Sequence, residues 1–192
     1  MSLQSLKYAR GSLQVLDQLL LPNETLYIDV TGVDDAWSVI RKMQVRGAPL
    51  IAITAALGLA VELSNTLNDL QQKSKEEVSS WIKDKITYLR SSRPTAVNLF
   101  LATDELASIV DHDLSNTDTS SKDIINHIIL SAEALLEADV ATNKAIGLNG
   151  AKKILEIINR NKVRVLTICN TGSLATAGYG FNTSYLCSHF SR

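Results

Sequence analysis

The residues best placed to do chemistry are one cysteine and two arginines, each set beside glycine, proline or a run of small residues. Cys169 ends the apolar run Val163–Ile168 and leads into Asn170-Thr171-Gly172-Ser173. In open α/β sheets ligands bind at the carboxyl ends of strands. Gly172 and Ser173 permit close backbone approach, and a helix opening there could hold an anion or favour the Cys169 thiolate. The competing reading is a buried structural cysteine, the commoner fate of a lone Cys.

The arginines repeat one design. In Arg46-Gly47-Ala48-Pro49 an arginine precedes a helix start, with proline near the first helical position. Free N–H groups and the positive dipole end suit phosphate, and the guanidinium adds a bidentate donor. Arg93-Pro94-Thr95-Ala96-Val97-Asn98 does the same. Taken singly, each is also an ordinary turn with a solvated arginine. Two such sites in a largely apolar chain favour an anion pocket. The histidines are weaker candidates. His112 lies between two aspartates on an expected loop, His127 on a helix edge, and His189 in the irregular end of the chain. No His/Cys/Asp group has metal-ligand spacing, and no glycine-rich nucleotide motif is present.

The elements that must hold these residues follow from the apolar spacing. Leu13, Val15 and Asp17 alternate with Gln14, Leu16 and Gln18, and Leu26–Val30 follows the Pro22–Asn23 turn signal, so the start reads as strand. Trp37, Ile40 and Met43 lie three apart on a first helix, with Asp34 or Asp35 as cap. Residues 49–63 are apolar nearly all round, the mark of a bundle's buried centre, and the apolar run 48–63 reads as too short and too broken to span a membrane. Ser74 and Glu77 form a capping box for a helix with Val78, Trp81, Ile82, Ile86 and Leu89 inside. Thr95 reopens a helix facing inward through Val97, Leu101, Leu106 and Ile109. Residues 111–121 read as an exposed loop, 122–138 as a helix, 139–143 as a break and 144–159 as a last helix. Val163–Ile168 then reads as a central parallel strand.

The composition fits this picture. Of 192 residues 45% are apolar and the net charge is −1, enough for a real core and without the basic excess that nucleic acid or anionic membrane would call for. Two cysteines do not make a disulfide framework, which points to a reducing, cytosolic compartment. The expected class is α+β then α/β. A small N-terminal antiparallel sheet and helical bundle span 1–160, the first strand of a Rossmann-like domain lies in 161–180, and 181–192 form an unrelated tail.

In this order and spacing the three motifs resemble the methylthioribose-1-phosphate isomerase family, aldose–ketose isomerases of methionine salvage. The likeness runs from Tyr8-Ala9-Arg10-Gly11-Ser12-Leu13 to Gly178-Tyr179-Gly180. The wider family takes in the regulatory subunits of the translation-initiation guanine-nucleotide exchange factor, which leaves a non-catalytic interaction module as the rival reading. The resemblance implies substrate contacts from Arg46, Gly47, Ala48 and Arg93. It assigns Cys169 to transition-state stabilisation or proton transfer, with Asn170, Thr171 and Gly172 beside it. It further implies a sugar-phosphate substrate, no metal or other cofactor, a homodimer, and residence in cytoplasm and nucleus. In the family an aspartate later in the chain partners the cysteine. Residues 181–192 match nothing there, so residues 1–192 alone are expected to show little or no isomerase activity.

Overall fold

The computed structural model describes residues 3–157, 166 and 172–178. The chain opens with a three-stranded antiparallel sheet of β1 (Leu6–Ala9), β2 (Ser12–Leu16) and β3 (Tyr27–Val30), in that order. Ala9 pairs with Ser12, so Arg10 and Gly11 form a two-residue turn. Gly11, at φ 82°, supplies the positive φ that so tight a reversal needs. Strand β1 falls within the start expected as strand, ahead of the two runs singled out there. Leu6, Leu13, Val15 and Val30 cover the core from this sheet. The expected alternation ends at Leu16, which is buried too. Beyond it Asp17 turns inward and accepts hydrogen bonds from the Leu19 amide and from Gln44.

Among the described residues six helices follow: α1 (Val33–Arg41), α2 (Ala48–Asn65), α3 (Leu67–Leu70), α4 (Lys75–Ser91), α5 (Val97–Ser115) and α6 (Ser121–Ile157). Helix α2 is the centre, packed by α1, α4, α5 and α6. Its 18 residues are long and apolar enough for a bilayer span, yet 72% of that stretch is buried inside the fold. Gly58 explains how close α1 comes: a Cβ there would stand 2.5 Å from that of Ala36. Glu62 of α2 also accepts the Val33 amide at the start of α1 and pairs with Lys85 of α4.

Several sequence expectations need correction. Helix α1 starts at Val33 after Gly32, not at Asp34. Asp35 bonds back to the amide and hydroxyl of Thr31. Its buried face is Val33, Ala36, Val39 and Ile40; Met43 lies past the helix at φ 61° and is exposed. The capping box at Ser74 and Glu77 is present, as expected. Four of the five residues expected inside α4 are buried; Trp81 is half-exposed. In α5 the cap position is Ala96 rather than Thr95, and the inward face is Leu99, Ala102, Thr103, Leu106 and Val110. Val97 and Leu101 are exposed.

Residues 111–121 are not a loop throughout. Helix α5 runs on to Ser115, and Asp113 is buried, held by His127 at 2.7 Å. The expected break at 139–143 is also absent, because α6 is one helix of 37 residues, about 55 Å long at the usual rise. Asn143 donates to the carbonyl and the carboxylate of Asp139, so this polar pair is satisfied within the helix. The expected strand Val163–Ile168 lies outside the described residues except for Leu166, which is exposed and belongs to no helix or strand. The tail 181–192 also lies outside them.

One cluster ties the hairpin to α6. Arg10 and Tyr8 both donate to Glu133. The Arg10 guanidinium, more than the Tyr8 hydroxyl, holds the Glu133 carboxyl below its usual range, while burial and the Glu133 bond push the Tyr8 phenol up. A depressed folded-state pKa gives stability present above the ordinary carboxyl value and lost as pH falls through the folded one. Wild type should therefore exceed Glu133→Gln in melting temperature at neutral pH. The gap should close below about pH 4, near the ordinary carboxylate range. Parallel thermal melts across pH 2–7 would check this.

Candidate functional site

Helix α2 begins at the first arginine motif. Gly47 sits at its cap position with φ 98° and ψ 135°, no side chain caps it, and no acidic residue occupies the first turn. Its early amides keep their donor capacity and the positive end of the dipole is uncompensated. Arg46, half-buried just before it, donates from Nε to the Met43 carbonyl at 3.1 Å. The connection is held from below by the Gln44–Asp17 bond of 2.6 Å and by the Gln18 amide on the Gln44 carbonyl.

Helix α5 begins at the second motif in the same way. Ala96 caps it without a side-chain bond, again with no acidic residue in the first turn. The Arg93 carbonyl accepts the Ala96 amide. Its guanidinium has no hydrogen bond or ion pair among the described residues. Both helix starts open on one groove of about 280 Å³, lined by Pro49 and Ala52 of α2, Asn98 and Leu101 of α5, and Asp139 and Thr142 of α6. That volume is close to the lower end for small-ligand pockets. Leu101, expected in the core, instead lines this groove.

The third motif is described from Gly172 onward. Gly172, at φ 90°, opens a 3₁₀ turn over Ser173–Ala175, closed by the Ala175 amide on the Gly172 carbonyl. Three side chains from distant elements hold it. Gln18 donates to the Leu174 carbonyl at 2.7 Å, Ser5 donates to the Thr176 carbonyl at 2.5 Å, and Asp139 accepts the Ala177 amide at 2.8 Å. Ala175 and Thr176 are buried. A Cβ on Gly47 would lie 2.5 Å from both the Cα and the carbonyl oxygen of Ala175. The first and third motifs are thus in direct contact across the start of α2.

Of the residues singled out in the sequence, Gly47 meets Ala175 at this contact, three residues past Gly172, with Arg46 and Ala48 beside Gly47 in the chain. Arg93 stands at the neighbouring helix start, and no hydrogen bond or ion pair joins it to Arg46. Cys169, Asn170 and Thr171 lie outside the described residues. Sequence reasoning missed Ser5, Gln18 and Asp139. Only Asp139 left a trace, as an i, i+4 pair with Asn143, and that pair read as a helix break. Burial raises the Asp139 carboxyl above its ordinary value, against the opposing effect of its bonds from Ala177 and Asn143.

The chain is similar to known proteins over this region. The model of the initiation factor 2 subunit family matches residues 44–179, a stretch that holds all three motifs. Methylthioribose-1-phosphate isomerases of Drosophila persimilis and Drosophila pseudoobscura pseudoobscura are each 50% identical over 188 residues, covering 94% of this chain and 51% of theirs. The chain therefore spans about half the length of the curated relatives it matches. Among solved structures, 5-methylthioribose 1-phosphate isomerase from Pyrococcus horikoshii OT3 superposes with a TM-score of 0.79 at 29% identity, over 95% of this chain and 48% of that one. The translation initiation factor eIF-2B subunit delta from A. fulgidus gives 0.69 at 29% identity, over 96% and 51%.

Proposed function

Because the chain belongs to the initiation factor 2 subunit family, we propose that it carries the helical half of an aldose–ketose isomerase site. That site converts 5-methylthioribose 1-phosphate to 5-methylthioribulose 1-phosphate in methionine salvage. The observation that carries this reading is the seating of the Gly172–Gly178 segment on Gly47, which joins two sequence motifs more than 120 residues apart. The half-identity to two isomerases named for this substrate supports the choice of reaction.

In this reading the phosphate rests against the starts of α2 and α5, with Arg46 and Arg93 as its cationic donors. Gly47 and Ala48 leave room for the backbone to approach it. Phosphate on the anomeric oxygen prevents the sugar from opening as a free sugar does. Ring opening then needs acid assistance, and hydrogen must pass from C2 to C1, chemistry that calls for positioned groups in a dry site. Cys169 is the residue assigned to stabilise that transition state or move the proton, with Asn170, Thr171 and Gly172 beside it in the sequence. In this reading the whole protein works as a homodimer, and it resides in cytoplasm and nucleus. The interaction-module alternative rests on the likeness to the A. fulgidus subunit, which has lower identity than the isomerases of Drosophila.

The test is binding. Isothermal titration of the chain with 5-methylthioribose 1-phosphate, and with the same sugar lacking its phosphate, should show saturable binding of the first and loss of at least tenfold in affinity for the second. Equal affinity for the two, or no binding of either, would remove the phosphate pocket and this reading with it.

A further inference from the structure

The Gly172–Gly178 segment has little structure of its own. Its 3₁₀ turn is three residues long, and its two internal bonds both end on the Gly172 carbonyl, one of them at 3.5 Å. It stays where it is because of what it touches. Ser5 and Gln18 donate to two of its carbonyls. Among the described residues the single charged contact is Asp139, whose Oδ2 takes the Ala177 amide at 2.8 Å. The other oxygen, Oδ1, takes the Asn143 Nδ2 at 3.1 Å, and the same nitrogen bonds the Asp139 carbonyl at 2.9 Å. Asn143 thereby fixes the carboxylate's orientation, one helical turn along α6. The same carboxylate borders the groove on which α2 and α5 open. An ordinary surface aspartate would have water for both oxygens; this one is half-buried and spends them on two protein donors.

We propose that Asp139 is a positioning residue for the substrate site, its carboxylate, aimed by Asn143, anchoring the Ala177 amide and so holding the turn that follows Cys169 against Gly47. The proposal rests on the isomerase reading only for the word substrate; the anchoring can be tested without it. Burial of the carboxyl agrees with this role, since the ionised form depends on its two donors. Asparagine at 139 keeps an oxygen for the Ala177 amide and gives up only the side-chain bond from Asn143, whose NH2 group stays on the residue-139 carbonyl. Leucine keeps the volume and removes the acceptor.

The experiment is amide hydrogen exchange on the chain carrying Asp139→Leu, Asp139→Asn or Asn143→Ala, with the melting temperature and the affinity for 5-methylthioribose 1-phosphate measured on the same samples. Asp139→Leu should speed exchange at Ala177 at least tenfold while the amides of α2 stay protected. Asp139→Asn should restore most of that protection. Asn143→Ala should give an intermediate loss, and it stands in for Asp139→Leu if that variant does not fold. Unchanged exchange at Ala177 in the leucine variant overturns the proposal, as does failure of asparagine to rescue it. If Asp139→Leu does not fold, unchanged exchange in Asn143→Ala overturns it. Affinity should fall with Ala177 protection across the series. An affinity that stays constant while protection is lost overturns the positioning role. If the wild type does not bind the sugar phosphate, the functional reading fails and the exchange result still decides the anchor.

Discussion

Gly47→Ala should abolish the seating of the Gly172–Gly178 segment and lower sugar-phosphate affinity by about 100-fold, the scale of loss that follows a 1 Å misplacement in a site. Two effects add. At φ 98° and ψ 135° the backbone lies where side chains are strongly disfavoured, a strain of about 1–3 kcal/mol. The new methyl would also sit 2.5 Å from the backbone of Ala175, where no side-chain rotation can make room. Either the start of α2 or the turn must move. The turn is the weaker partner, held by three side-chain bonds, whereas α2 is buried almost continuously from Leu50 to Leu63. Gly58→Ala is the control. Its clash is with the Ala36 side chain, inside the bundle and away from the turn, and overpacking of that kind costs about 1–3 kcal/mol. It should lower the melting temperature while leaving Ala177 protected from exchange. Loss of affinity in both variants to the same degree would mean that global stability, not the Gly47 contact, sets binding.

The contact at Gly47 also shows how far the sequence could be read. Its two ends were both legible: a glycine before a helix start, and a glycine turn after an apolar run. Their meeting was not, because nothing local relates residue 47 to residue 175. The same holds for the bonds of Ser5 and Gln18 to the turn, which span 171 and 156 residues. Local signals did well where one physical effect dominated. The all-round apolar character of 49–63 announced the central helix, and Ser74 with Glu77 announced a cap.

They failed where two patterns compete. In α5, Val97 and Leu101 offer one helical face and Leu99, Leu106 and Val110 another. Packing against α2 selects the second, and the first is left to the groove and solvent. Asp139 and Asn143 looked like a break because polar residues at that spacing commonly end helices. Here they bond each other, and the carboxylate's remaining capacity goes to the turn. A polar pair that resists the local rule is often where a fold carries function, and Asp139 of this one borders the groove.

Arg46→Ala and Arg93→Ala should each weaken binding of 5-methylthioribose 1-phosphate by about 10- to 150-fold, the range for a hydrogen bond to a charged group of about 1.5–3 kcal/mol. Neither should cost much stability. Arg46 makes one hydrogen bond, to the Met43 carbonyl, and Arg93 makes none among the described residues, so the fold draws little from either guanidinium. Lysine at each position should recover only part of the affinity, since it keeps the charge and loses the planar pair of donors. The double variant separates two arrangements. If the arginines meet different phosphate oxygens, their losses should nearly add. If they crowd the same oxygens, the double loss should fall short of the sum, the signature of coupled contacts. Calorimetric titration of the four proteins at two ionic strengths would decide, because a phosphate contact weakens with salt and an apolar one does not. Affinities within threefold of wild type in both single variants would take the phosphate away from these helix starts. The groove between α2 and α5 would then have to bind its ligand through Pro49, Asn98 and Leu101 rather than through charge.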